Sequence, residues 1–321
     1  MLALALLIAL AAVPAWAQFT GARACAPCHP AQARSQAASH HATALRPAAQ
    51  TDLAQRLSAR PLRERSGVEF AYAQSADGVA VTVTQDAARV DAVLEWAFGA
   101  GAQAITPVGR RDGKYFEHRL SWYREAGHAA RTLGHPGTPS ETPEKALGIT
   151  QAPATITQCF QCHATAVKPG PDLSAMQPGV TCERCHGPGA AHVKSASPSD
   201  VVRLSKLSAR ESVLFCAECH RATAPLDDPG SVRYQPVGLM ASRCFRVSGT
   251  LSCVTCHDPH ADASLDHKFY APKCLACHAT GGAPIRECRR ASGGDCLACH
   301  MKKSSPFPFL TFTDHRIRVA R

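Results

Sequence analysis

Fourteen of the sixteen cysteines stand in seven Cys-x-x-Cys pairs, and a histidine follows each pair at once. The triplets are Cys25, Cys28 and His29; Cys159, Cys162 and His163; Cys182, Cys185 and His186; Cys216, Cys219 and His220; Cys253, Cys256 and His257; Cys274, Cys277 and His278; and Cys296, Cys299 and His300. Histidine is about one residue in twenty of this chain, so seven chance successes would have a probability on the order of one in a billion. Two thiols three positions apart can form thioethers with the two vinyl groups of one porphyrin. The adjacent histidine then offers a ring nitrogen to the iron. The spacing implies seven covalently attached c-type haems, each with a proximal histidine. A zinc ribbon closes with four ligands and has no need of a histidine after every pair. A disulfide scaffold would not impose one spacing seven times, and redox Cys-x-x-Cys motifs come singly.

Seven irons need up to seven sixth ligands, and nine histidines lie outside the triplets. Beyond the initiator, the methionines are Met176, Met240 and Met301. Bis-histidine ligation is therefore expected for most sites, which favours low reduction potentials. Position selects candidates. His260 follows His257 across a stiff Asp258-Pro259 link. His192 stands where a helix can begin after the Gly187-Pro188-Gly189 turn. His315 closely follows the last triplet. One of His40 and His41 is expected to ligate. His135, which precedes Pro136, and His267 stay open either way, and His118 and His128 read as structural. Cys244 and Cys288 remain, and a disulfide is favoured over two buried thiols.

The elements that must hold these groups are short. From Cys159 onward the first cysteines are spaced by 23, 34, 37, 21 and 22 residues. Units this small cannot bury a protein core of their own, so packed haems must supply much of the apolar interior. The fold class expected is short α-helices and coil wrapped around stacked haems, with a small antiparallel β insertion. Gly/Pro-rich loops at 168–171 and 281–284 connect the pieces.

Cys25 and Cys159 are 134 residues apart, and this gap reads differently. Residues 48–60 can form a helix. Residues 68–72 and 79–84 alternate around an Ala76-Asp77-Gly78 turn, a hairpin signal. Residues 104–108 and 115–120 form a second candidate pair across Arg111-Asp112-Gly113-Lys114. Residues 134–153 read as an irregular connector or as a strap across a haem face. The domain reading is 1–17 a signal peptide, 18–47 a first haem-binding segment, 48–150 the β insertion with its connector, and 151–321 a six-haem region.

Leu2 to Val13 is an unbroken apolar run, closed by Pro14 and the small-x-small site Ala15-Trp16-Ala17. This reads as a secretory leader, although no Lys or Arg precedes the run. Export fits both the cysteines and a periplasmic or extracellular location. No later stretch is long and apolar enough to span a membrane. The formal charge of +10 first suggests an acidic partner. Each ferric bis-histidine haem carries about one net negative charge, from +1 at the iron porphyrin and −2 from two propionates. Seven haems bring the total to about +3 oxidised and about −4 reduced. Many Lys and Arg residues are then partners for propionates, and no nucleic acid is expected.

The opening Phe19-Thr20-Gly21-Ala22-Arg23-Ala24-Cys25-Ala26-Pro27-Cys28-His29-Pro30, with His40-His41-Ala42 after it, resembles the start of the cytochrome c-554 family. The stretches Cys182 to His192, Cys244 to His260 and Cys296 to Arg318 are similar to multihaem cytochromes of that broad family, some of which carry tetratricopeptide tails. The resemblance implies His40 or His41, His192, His260 and His315 as distal ligands. It covers most of the chain after the leader, with residues 48–150 matching loosely. Lys302 replaces the proline usual after Cys-His-Met, and no tetratricopeptide tail precedes Arg321, so the partners of tailed members do not carry over.

The expected function is electron transfer through closely packed haems. The expected partners are redox proteins: other cytochromes, a quinol-linked donor or a terminal reductase. The alternative is an oxidoreductase acting on a small nitrogen or sulfur compound at one five-coordinate haem, with the Cys159–His163 site the first place to look. A structural subunit of an extracellular haem filament is a third class that nothing in the sequence requires. No phosphate loop, His-Glu-x-x-His helix or paired-carboxylate signal stands out.

Overall fold

The computed structural model describes residues 18–60, 62, 64–167, 176–278 and 295–318. The expected leader, the loops at 168–171 and 281–284, and Cys288 with its expected pairing to Cys244 lie outside the described residues.

The chain starts with a one-turn segment carrying the first triplet, then α1 (Pro30–Ala37), with Pro30 in its first turn. Strand β1 (Leu45–Pro47) leads through a short turn to α2 (Leu53–Ser58), which buries Leu53, Ala54 and Leu57. An antiparallel sheet follows. Its main path runs β2 (Glu69–Gln74), β3 (Val79–Gln85), β4 (Ala88–Phe98), β5 (Ala104–Arg111), β6 (Lys114–His118) and β9 (Gly148–Thr150). Strand β1 pairs with β4, β7 (Leu120–Tyr123) with β5, and β8 (His128–Arg131) with β7. In β3 the period of two puts Val79, Val81 and Val83 on the buried face.

The turns follow from their residues. Asp112 and Gly113 have φ of 50° and 74° between the paired Arg111 and Lys114, so the β5–β6 hairpin has the two positive-φ residues that favour Asp-Gly. Gly109 allows β5 to approach β4, because a Cβ there would lie 2.3 Å from the Val93 carbonyl oxygen.

The sheet is larger than the two expected hairpins, and the connector at 134–153 is ordered. It contains α3 (Pro143–Leu147), capped by Thr142, whose hydroxyl accepts from the Lys145 N–H. Ala146 and Leu147 of α3 close one core with the α2 side chains and Val79, Leu94, Phe116 and Leu120 of the sheet. Arg119 pairs with Glu64 below the surface. Glu64 also accepts from Ser140 N at 2.7 Å, and Arg119 donates to the Thr138 carbonyl at 2.8 Å. These bonds tie the connector to the sheet.

Strand β9 hands over directly to α4 (Pro153–His163), which ends on the second triplet. A second core joins Leu45, Phe98 and Val108 of the sheet to Ile156 and Phe160 of α4 and to Met176. Trp96, Phe98 and Tyr115 meet the Phe160 ring at 5.7, 5.0 and 5.6 Å.

Beyond this point the chain is short helices. They are α5 (Cys182–His186), α6 (Ala190–Ser195), α7 (Ala209–His220), α8 (Gln235–Ala241), α9 (Arg243–Ser248), α10 (Cys253–Cys256), α11 (Ala271–His278) and α12 (Cys296–His300). Short strands β10 (Ala164–Ala166) and β11 (Gln177–Pro178) pair early in this region. The hairpin β12 (Lys303–Phe307) and β13 (Leu310–Thr313) closes it. Among the described residues no helix is long and apolar enough to cross a membrane.

Candidate haem-binding centres

Every described triplet sits on a helical turn, and six of the seven fall at a helix end. The reason is geometric. Positions i, i+3 and i+4 share one helix face, so two thiols and the imidazole point the same way. The first triplet makes the same turn outside a helix, with His29 N donating to the Cys25 carbonyl at 2.9 Å.

Four of these histidines face a second histidine from a distant part of the chain. His29 lies opposite His192 with ring centres 6.3 Å apart and planes at 25°. His186 faces His260 at 6.3 Å and 6°. His220 meets His41 at 6.2 Å and 68°, and His257 meets His315 at 6.2 Å and 36°. A metal–imidazole bond is about 2.0 Å, and the ring centre lies about 1.2 Å behind the nitrogen. Two imidazoles on opposite sides of one metal should therefore have centres roughly 6.3 Å apart. All four pairs have this separation.

The hydrogen bonds fit the same use. Nδ1 of His163 donates to the Ala44 carbonyl at 2.9 Å, that of His186 to Val202 at 3.0 Å and that of His300 to Arg318 at 2.6 Å. On the opposing side, His192 donates to Ser197 at 2.9 Å and His315 to Thr313 at 2.9 Å, while His260 bonds the Asp258 carboxylate at 3.0 Å. A proton held on Nδ1 leaves the Nε2 lone pair for a metal and fixes the ring's orientation. Burial also holds His163, His220, His257 and His315 below the ordinary histidine range, as neutral imidazoles.

Thiols of different triplets are neighbours. Burial, then Cys182, pushes Cys25 up to about 11; burial, then Cys162, does the same to Cys219, and burial, then Cys296, to Cys274. Cys253 is raised by its bond to Cys216 and then by burial, while the same bond lowers Cys216 to about 7. Among the described residues no group of three or more His, Cys, Asp and Glu side chains converges as a zinc site would.

The other candidates are placed as follows. Among the described residues the His40 ring makes no contact with a triplet histidine, whereas His41 meets His220. The His40 backbone N–H donates to Asp262 at 2.6 Å and its Nδ1 lies 3.1 Å from the same carboxylate. His135 is buried in the sheet region with Nε2 3.1 Å from Glu117, and among the described residues no ring contact joins it to a triplet histidine. His267 bonds Asp295, just ahead of α12, through Nδ1 at 3.1 Å. His118 is wholly buried in the sheet core and His128 lies edge-on to Phe309. His163 has the Phe98 ring at 5.2 Å. Among the described residues, His163, His278 and His300 have no histidine opposite them.

Some positioning residues carried no sequence signal. Gly238 in α8 lets the chain end pass close, since a Cβ there would lie 2.7 Å from Arg316 N and 2.9 Å from the His315 carbonyl carbon. Lys302, Lys303, Arg316 and Arg318 line an open cavity of about 220 Å³ beside His315.

Repeated Cys-x-x-Cys-His turns, imidazoles opposed at the span of one metal, and helices too small to have cores of their own define a multihaem c-type cytochrome. The family model and the curated relative agree. Residues 117–187 match the family model described as cytochrome c554 and c-prime. The chain is 25% identical over 185 residues to the multiheme cytochrome MtrA of Shewanella baltica (strain OS185), covering 48% of this chain and 55% of that one. It thus spans about half the length of this curated relative. Its fold resembles the crystal structure of the outer cell wall cytochrome OcwA, with a TM-score of 0.54, 15% identity, and coverage of 94% of this chain and 80% of that chain. An undecaheme cytochrome from the S-layer of Carboxydothermus ferrireducens aligns with a TM-score of 0.47 and 17% identity, over 84% of this chain and 44% of that one.

Proposed function

We propose that the chain is an exported heptahaem c-type cytochrome that transfers electrons between redox proteins. The observation that carries this reading is the set of four imidazole pairs at 6.2–6.3 Å, each joining a triplet histidine to one of His192, His260, His41 and His315. In this reading the fourteen triplet cysteines hold the porphyrins and the triplet histidines are proximal ligands. The four opposing histidines are distal ligands. An iron with both axial positions filled has no place for a substrate and exchanges electrons at the haem edge. The chain's own task is to hold the motifs close, exclude water and supply countercharge, for which Lys302, Lys303 and Arg316 line the cavity beside His315, while Arg318 pairs with Asp314. The name of OcwA supports a cell-envelope location, as does the apolar leader.

The test is a haem count and a ligation state. The intact mass should exceed that of the apoprotein by seven haems, and the oxidised protein should show mainly low-spin bis-imidazole signals. A smaller count, or a mainly high-spin spectrum, would refute the reading.

A second reading rests on the Cys159–His163 centre. His163 has no histidine opposite it among the described residues and packs against Phe98. We propose that this iron, if five-coordinate, serves an oxidoreductase acting on a small nitrogen or sulfur compound. Cyanide or nitric oxide binding that is lost in a Cys159→Ser/Cys162→Ser variant would support it; a wholly low-spin protein inert to both ligands would remove it.

A further inference from the structure

We infer that Glu183 is a positioning residue that joins the first and third haem-binding motifs and holds His192 opposite His29. The inference rests on the ligand reading above, and it concerns a side chain inside the variable dipeptide of the third motif.

Glu183 is only 3% exposed, yet among the described residues it has no cationic partner. A buried carboxylate without a partner is costly, and three backbone donors meet that cost. Thr20 N donates to Oε1 at 2.9 Å, Gly21 N to Oε2 at 2.7 Å and Gly189 N to Oε1 at 2.8 Å, with the Thr20 hydroxyl at 3.3 Å. These donors belong to two separate stretches. Thr20 and Gly21 open the turn that carries Cys25, Cys28 and His29. Gly189 is the N-cap of α6, the helix that carries His192.

The surroundings are shaped to the carboxylate. A Cβ on Gly189 would meet Glu183 Oε1 at 3.2 Å and Thr20 Oγ1 at 3.4 Å, so glycine leaves room for the acceptor. Gly21 has φ of +82°, a left-handed conformation that presents its N–H to the carboxylate and disfavours other side chains. Glu183 is itself fixed by α5, between Cys182 and Cys185. One carboxylate thus sets the third motif, the proximal histidine of the first and the histidine opposite it in one frame. The 6.3 Å, 25° arrangement of His29 and His192 is its result.

Its neighbour extends the pattern. Arg184 Nη2 reaches the Glu218 carboxylate at 3.3 Å and the Cys219 sulfur at 3.7 Å, both in the fourth motif. The two residues between Cys182 and Cys185 thus face different neighbouring motifs.

The test uses the full haem-loaded protein and three variants. Carbon monoxide equivalents bound by the reduced protein are counted, together with low-spin signals of the oxidised one. His192→Ala should gain one carbon monoxide site, and Glu183→Ala should gain the same site with loss of the same low-spin signal. Glu183→Gln keeps the shape and one acceptor, so it should keep ligation. Loss of its negative charge should raise the midpoint of at least one haem, shifting the reduced-to-oxidised ratio at fixed potential several-fold. If His192→Ala changes neither count nor signals, the ligand reading fails and this inference falls with it. If His192→Ala gains a site but Glu183→Ala does not, the inference alone is overturned. Should Glu183→Ala fail to mature, Glu183→Gln decides: a shifted midpoint supports the role, and a titration superimposed on wild type overturns it.

Discussion

His118 offers a prediction whose size can be worked out. Its ring is fully buried, with the Phe70 and Tyr72 rings at 5.9 and 5.7 Å. Nδ1–H donates to the Leu147 carbonyl at 2.6 Å, and the Tyr72 hydroxyl donates to Nε2 at 2.8 Å. Burial lowers the imidazole from 6.5 to about 4, against the Leu147 bond, which raises it; His135 adds a smaller lowering. Above pH 6.5 the folded and unfolded states both carry neutral imidazole, so the group adds no pH dependence. Below 6.5 the unfolded chain takes up a proton that the folded one refuses until about pH 4. Stability is therefore lost as pH falls through this window, by about 2 kcal/mol at pH 5 and about 3 kcal/mol at pH 4.

The perturbation is His118→Gln, which keeps polar atoms in the cavity but takes up no proton. It should cost about 1–3 kcal/mol at pH 7 through imperfect hydrogen bonds. Trp96 and Trp122 both lie in the sheet, so urea unfolding followed by tryptophan fluorescence reports on this region. Other acid-sensitive groups, haem ligands included, affect wild type and variant alike and cancel in the difference. The stability gap should narrow by about 2 kcal/mol between pH 7 and pH 5. A gap unchanged over that range would refute the assignment of a buried, neutral His118.

Three further outcomes can be measured. His41→Ala should add one carbon monoxide site in the reduced protein, whereas His40→Ala should add none, because the His41 ring meets His220 and among the described residues the His40 ring meets no triplet histidine; equal gains would contradict the pairing. Gly238→Ala should push the His315 segment away and weaken ligation opposite His257, seen as a new high-spin signal, while Ala241→Gly in the same helix leaves the spectrum unchanged. Glu64→Gln leaves Arg119 charged below the surface and should destabilise the sheet region by about 3–5 kcal/mol in urea unfolding, with little change in the haem spectrum.

Much of the β region was readable because its local chemistry agrees with its packing. The alternation of β3 and the Asp112-Gly113 turn need no tertiary information. Strand β4 was not readable, because the register shift between Leu94 and Trp96 breaks the period of two. Helix α3 reads as connector from sequence, since five residues between Thr142 and Gly148 are too few for a periodic pattern. The Thr142-Pro143-Glu144 start, with a capping hydroxyl and proline in the first turn, was the available signal. Glu183 was invisible for a different reason. A charged residue between two cysteines reads as surface, and only the distant Thr20, Gly21 and Gly189 donors explain its burial.

The sequence alone determined the chemistry of each centre. Two thiols and an imidazole at i, i+3 and i+4 meet on any helical turn, so the attachment motif is local and survives any arrangement of the whole. Only the tertiary structure decided which second histidine stands opposite which triplet histidine. His40 and His41 are adjacent and chemically identical, yet one is held by Asp262 and the other meets His220. Axial opposition demands two rings about 6.3 Å apart from distant parts of the chain. That distance is set by packing, by close approaches such as Gly238 on Arg316, and by buried hydrogen bonds such as those of Glu183, none of which a local pattern contains.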